Sequence, residues 1–126
     1  MTLRIILVLL AASVVLAAQE SKPADTNWAA PEKAAEKQNP FKSKPELAAG
    51  GKKIFARNCV QCHGDESHGR SNNAPDLGSP AVQSETDGAL FWKISSGNSR
   101  TGMPSFSALP EGVRWQLVLY IRSLKK

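Results

Sequence analysis

Cys59-Val60-Gln61-Cys62-His63 brings two thiols and an imidazole together in one short stretch of chain. C-x-x-C-H is the spacing at which each thiol can form a thioether to one vinyl group of a haem while the adjacent imidazole reaches the iron. Chance yields the pattern on the order of once in a thousand chains of this length. The stretch implies one covalently bound haem c, with Cys59 and Cys62 as its thioethers and His63 as an axial ligand of its iron. Three other readings use the same residues less completely. A redox dithiol of the thioredoxin kind sits in a strand–helix alternation that this sequence lacks. A structural zinc site takes four ligands, and beyond these three side chains only His68 and carboxylates remain. A plain disulfide suits an exported chain with two cysteines but leaves His63 unexplained.

Outward from the motif, the chain divides into three parts. Arg4 and an apolar run from Ile5 to Ala18 that ends in small residues have the layout of a secretory signal peptide over residues 1–18, with cleavage near Ala17 or Ala18. The run is shorter than the roughly 18 residues that span a bilayer. The expectation is a periplasmic protein with no transmembrane span once mature. Residues 19–45 are rich in Pro, Ala and Lys and poor in large apolar residues, so they read as a flexible linker. Trp28 and Phe41 are its aromatics. Residues 46–126 form one domain, small enough that a core made of protein alone is marginal, and a buried haem supplies the missing apolar bulk. The formal net charge of +5 is scattered along the chain. It lacks the aromatic interleaving of a single-strand nucleic-acid surface, so no nucleic-acid partner is expected. A solvated face or a docking surface for an acidic partner accounts for it better.

Helical periodicity marks the domain's elements. Pro45-Glu46 opens a helix that carries Leu47, Gly51, Ile54 and Phe55 and ends near Asn58. Gly50 and Gly51 weaken it in mid-segment, and close approach of another backbone is the physical compensation. The predicted partner is the last helix, Pro110 to Leu124, with Val113, Leu117, Tyr120, Ile121 and Leu124 on one face. A third helix is predicted from about Glu85 to Ser96, with Ser84 or Thr86 as cap and Gly97 as stop. No alternating strand pattern persists. The fold class is all-α, with long connections that would be anomalous in so small a domain unless they pack onto a central group.

The second iron ligand is sought on the far side of the haem. Without the leader, Met103 is the remaining methionine, forty residues after His63. Thr101-Gly102-Met103-Pro104 is a turn outside any helix, a setting for a ligand more than for the core gap-filling that is methionine's other use. His68 would give bis-His iron, yet it lies too near His63 in sequence to reach the opposite face. A metal-bound imidazole usually donates its second nitrogen to a carbonyl, and Pro75 is a candidate for that carbonyl.

These residues resemble the class I cytochrome c family over about 46–126. Gly51-Lys52-Lys53-Ile54-Phe55 is similar to the family's N-terminal helix and Leu117-x-x-Tyr120 to its C-terminal partner. The resemblance implies that the two helices cross at the glycine and pack an aromatic pair. Pro75, twelve residues after His63, matches the proline whose carbonyl accepts the ligand histidine's proton, and Gly102-Met103-Pro104 matches the distal loop. It further implies a cytochrome c fold of three to five helices and long loops around one haem, and it puts Trp92 and Arg100 in the haem environment. Phe91-Trp92-Lys93-Ile94, Met103-Pro104-Ser105-Phe106 and Arg114-Trp115-Gln116-Leu117 are similar to small bacterial cytochromes that serve periplasmic dehydrogenases or terminal oxidases.

The function expected is one-electron carriage between redox protein partners, and not enzymatic turnover. Two strong axial ligands leave the iron no open position. Lys52, Lys53, Arg57 and Arg100 are candidates to steer an acidic partner to the haem edge. The alternative is a haem protein with a displaceable Met103, acting as a ligand sensor or enzyme subunit.

Overall fold

Two helices meet at backbone distance where the sequence has its paired glycines. In the computed structural model, which describes residues 28–65 and 74–126, these are α2 (Ala48–Asn58) and α6 (Glu111–Ser123). A Cβ added at Gly51 would lie 2.0 Å from the Gln116 carbonyl oxygen and 2.6 Å from its carbon, so no larger residue fits the crossing. One turn on, Phe55 and Tyr120 pack edge to face with ring centroids 5.0 Å apart. Phe55, Leu117 and Val118 are the most deeply buried side chains, each stabilising the fold by roughly 2–3 kcal/mol through burial.

The remaining elements are α1 (Glu32–Ala35), a 3-10 turn at Pro45–Leu47, α3 (Val60–His63), α4 (Pro80–Gln83) and α5 (Asp87–Ser96). The described residues contain no strand, only an isolated bridge between Asn98 and Met103. The architecture is the all-α cytochrome c fold.

Local chemistry sets the ends of α5. The Thr86 hydroxyl accepts from the Ala89 N–H at 3.1 Å, and Gly97 stops the helix at φ 65°. The predicted start at Glu85 thus moves two residues on, to follow the cap. α5 is fastened to α6 by the stacked rings of Phe91 and Trp115, 3.9 Å apart, and by Arg122, whose Nε donates to Asp87 Oδ1 at 2.7 Å. Gln83 Nε2 donates to the carbonyls of Leu77 and Ile121, both at 2.8 Å, and so hangs the 74–84 loop on α6.

The segment expected to be a flexible linker is corrected from residue 28 onward. α1 lies on α5: the Thr86 hydroxyl donates to the Ala35 carbonyl at 2.6 Å, and a Cβ at Gly88 would come within 2.2 Å of the Ala34 oxygen. Asn39 is buried, donating through Nδ2 to the Trp115 carbonyl at 3.2 Å and accepting from the Phe41 N–H at 2.9 Å. This strap is held through backbone carbonyls, one asparagine and one phenylalanine, so hydrophobic periodicity gave no sign of it. The expected signal peptide and residues 19–27 lie outside the described residues. No helix among the described residues is long and apolar enough to cross a membrane.

Candidate functional site

The cysteine–histidine motif grows out of the end of α2. The Cys59 N–H donates to the Phe55 carbonyl at 2.8 Å, and the His63 N–H donates to the Cys59 carbonyl at 2.9 Å. The motif is therefore a single helical turn, α3, closed by Gly64 at φ 76°. Helical geometry carries Cys59 and Cys62 to adjacent positions of one face. Cys59 is half-buried and Cys62 exposed, and they are not joined to each other. Burial, with a smaller contribution from the neighbouring Cys62, pushes the Cys59 thiol up to about 11. Among the described residues no group of three His, Cys, Asp or Glu side chains converges on one position, and His68, the fourth ligand that a zinc site would call on, lies outside them.

His63 is oriented from the loop after the motif. Its Nδ1 lies 3.3 Å from the Pro75 carbonyl oxygen. A carbonyl only accepts, so Nδ1 carries the proton and Nε2 keeps its lone pair. Burial lowers the imidazole's pKa, and the bond to Pro75 acts in the opposite direction. The neutral form favoured by burial is the form that binds metal.

Met103 is held by a closed turn at the end of α5. The Asn98 N–H donates to the Met103 carbonyl at 2.9 Å, and the Met103 N–H donates to the Asn98 carbonyl at 3.0 Å. The turn between them needs Gly102 at φ 84°. Past the methionine, the Phe106 N–H donates to the Ile94 carbonyl at 3.1 Å and the Ser105 hydroxyl to the Ser95 carbonyl at 2.6 Å. Both bonds tie the loop to a helix already fixed on α6.

Between these two constructions lies a cavity of about 370 Å³, to which Cys59, Cys62, His63, Pro75 and Met103 all contribute. The size is that of a small-molecule or cofactor pocket. Its other walls are mostly apolar and include Phe55, Leu90, Ile94 and Ile121. Two thiols at the rim, an oriented imidazole, a thioether and apolar walls are the donor set and surroundings that haem c requires, so the residues present fit the group. A second cavity, about 650 Å³, lies on the strap side among Lys37, Lys42, Asp87 and Arg122, away from these groups.

Two residues expected in the haem environment are not among the cavity walls. On α5 the cavity is lined by Leu90, Lys93 and Ile94, a run at helical spacing, and the 100° step per residue turns Trp92 off that face. Arg100 is exposed in the turn before Met103. The wall that sequence reasoning missed is Trp28, brought in by the strap. Its one sequence signal was an aromatic in a stretch otherwise poor in large apolar residues. His68 lies outside the described residues.

Residues 46–121 match the protein family described as cytochrome C oxidase, cbb3-type, subunit III. A curated relative from Rhizobium leguminosarum bv. viciae, named cbb3-type cytochrome c oxidase subunit FixPc, is 50% identical over 36 residues. That alignment covers 28% of this chain and 12% of the relative, so the likeness concerns a small part of that longer protein.

Proposed function

Because the chain belongs to the cytochrome C oxidase, cbb3-type, subunit III family, and is by that membership a covalent haem c protein of electron transfer, we propose that it is a periplasmic carrier of single electrons. The haem would be attached through Cys59 and Cys62 and its iron ligated by His63 and Met103. One observation carries this reading: the two cysteines, the oriented histidine and the turn-held methionine line the same cavity. The haem, when bound, supplies one-electron chemistry by cycling its iron between the ferrous and ferric states.

The chain's own residues set the terms of that chemistry. Pro75 fixes the ring of His63 and its tautomer, which governs how strongly Nε2 donates. The Asn98–Met103 turn fixes the backbone that carries the thioether, and a Met ligand would favour the reduced state relative to bis-His ligation. Apolar walls such as Leu90, Ile94 and Ile121 exclude water and disfavour the more charged ferric state. If His63 and Met103 both hold the iron, no position would be left open for a substrate, which supports a role as a redox subunit or carrier.

The partners proposed are redox proteins, in keeping with the relative's description as an oxidase subunit. Lys52, Lys53 and Arg57 are exposed on α2, the helix that runs directly into the haem motif, and form a basic approach to it. Steering by these charges makes the association rate with an acidic partner fall as salt rises. Stopped-flow rates that stay flat across ionic strength would exclude it. The leader-like residues 1–18 support export.

The ligand set is tested by the visible spectrum of the ferric protein, matured where haem is attached. A weak far-red band reports sulfur on ferric iron, and Met103→Ala should abolish it while leaving the haem bound. A haem-bearing wild-type protein without the band, binding carbon monoxide tightly when reduced, would instead favour a sensor with an open or displaceable ligand.

A further inference from the structure

The cavity shared by Cys59, His63 and Met103 has mostly apolar walls, and among the described residues that line it Glu85 and Lys93 are the carboxylate and the ammonium. They are bound to each other. The Lys93 ammonium lies 2.7 Å from one carboxylate oxygen of Glu85 and donates to the other at 2.8 Å. Neither is freely solvated, the Lys93 side chain being 16% exposed and that of Glu85 25%. The ring of Trp28, a third wall residue, has its centroid 5.0 Å from the ammonium, so a cation lies over an aromatic face. On α5, Lys93 shares the cavity side with Leu90 and Ile94, whereas most lysines stand on a solvated face. Partial burial leaves each charge less screened than at the open surface. Both therefore act on whatever fills the cavity.

Haem iron gains one positive charge on passing from ferrous to ferric, so a nearby carboxylate favours the ferric state and a nearby ammonium the ferrous state. We propose that Glu85 and Lys93 set the midpoint potential of the haem as an opposed pair, each partner cancelling most of the other's pull. The inference rests on the haem-carrier reading above. The pair also packs against the Trp28 ring, so a charge role has to be told from a purely structural one, and the sign of the effect does this. A loosened wall admits water, which favours the ferric state and lowers the potential whichever partner is lost. Loss of charge works in opposite senses. Without Glu85 the ammonium stands unopposed and the potential rises; without Lys93 the carboxylate stands unopposed and the potential falls.

The experiment compares midpoint potentials of the full-length haem-bearing protein with those of Glu85→Gln, Lys93→Gln and the double variant. Redox titrations are run at low ionic strength and mildly alkaline pH, where a carboxylate is ionised. The double variant loses the pair without changing the net charge and so reports loosening alone. Against it, Glu85→Gln should lie higher and Lys93→Gln lower, each by about a three- to tenfold change in the ferrous-to-ferric ratio at a fixed applied potential. Added salt should shrink both differences. Lys93→Arg keeps the charge and should stay close to wild type. Single variants that fall on the same side of the double variant, or that coincide with it, would overturn the inference and leave the carrier reading intact, provided the far-red band is present. A protein that carries no covalent haem would overturn both.

Discussion

The crossing of α2 and α6 and the cavity beside it are the two halves of this domain's core, and they are completed by different means. At the crossing, backbone meets backbone at Gly51 and the Phe55–Tyr120 pair fills the space beyond, so protein atoms alone finish the packing. On the other side, Leu90, Ile94 and Ile121 face a cavity of about 370 Å³, and the segment holding Met103 is kept in place by turns and hydrogen bonds rather than by a helix. One half is specified by shape between two helices, the other by what enters it. The halves should therefore fail differently when disturbed.

The largest effect is expected from Cys59→Ala combined with Cys62→Ala. Covalent haem should vanish from the intact mass. Amide exchange should then show protection lost along residues 98–106, while the α2–α6 crossing keeps the strongest residual protection. Equal protection in both halves of the haem-free variant would erase the distinction. Gly51→Ala strikes the other half. A Cβ would meet the immobile Gln116 carbonyl, and the helices can relieve that only by moving apart, at a cost of about 3 kcal/mol. Denaturant unfolding should show that loss while the haem spectrum of the folded fraction stays as in wild type.

The turn before Met103 gives a graded pair. Gly97 and Gly102 both have positive φ, 65° and 84°. A Cβ at Gly97 would also meet Pro104 and Ser105 backbone atoms at 2.6 Å, whereas one at Gly102 has nothing within 4 Å. Gly97→Ala should cost about 2 kcal/mol and weaken the far-red band, and Gly102→Ala about 1 kcal/mol. Equal losses would mean that conformational strain alone, without the contact to the Met103 loop, sets the cost.

The crossing was the more legible half. Gly51 in mid-helix is costly unless something approaches closely, and the apolar face of α6 with Tyr120 named the partner. The haem attachment was legible because C-x-x-C-H has chemistry at each position; Met103 drew notice as the methionine in a Gly-Pro turn and Pro75 through its spacing from His63 in the family resemblance, and both line the cavity. The strap was illegible. Its ties are backbone carbonyls accepting from Thr86 and Asn39, and neither bond leaves a hydrophobic period in residues 28–45. Trp92 shows a related difficulty: an aromatic on a helix is assigned a face only when its neighbours' faces are known, and Leu90, Lys93 and Ile94 take the cavity side.

Thr86 offers the smallest and most discriminating perturbation, since it joins the strap to the haem half through one hydroxyl. Its oxygen accepts from the Ala89 N–H to cap α5 and its proton goes to the Ala35 carbonyl. Thr86→Ala removes both bonds, at about 1 kcal/mol for the cap and a further fraction for the tie to α1. Thr86→Ser keeps both and should be close to wild type. If the strap is a working part of the haem half, Thr86→Ala should also speed proteolysis between residues 28 and 45 and loosen the Trp28 wall, which the indole's exchange rate would register. The crossing of α2 and α6 should keep its protection. A variant that loses the cap's stability while residues 28–45 stay as resistant as in wild type would show instead that Asn39 and the fit of α1 over Gly88 hold the strap alone.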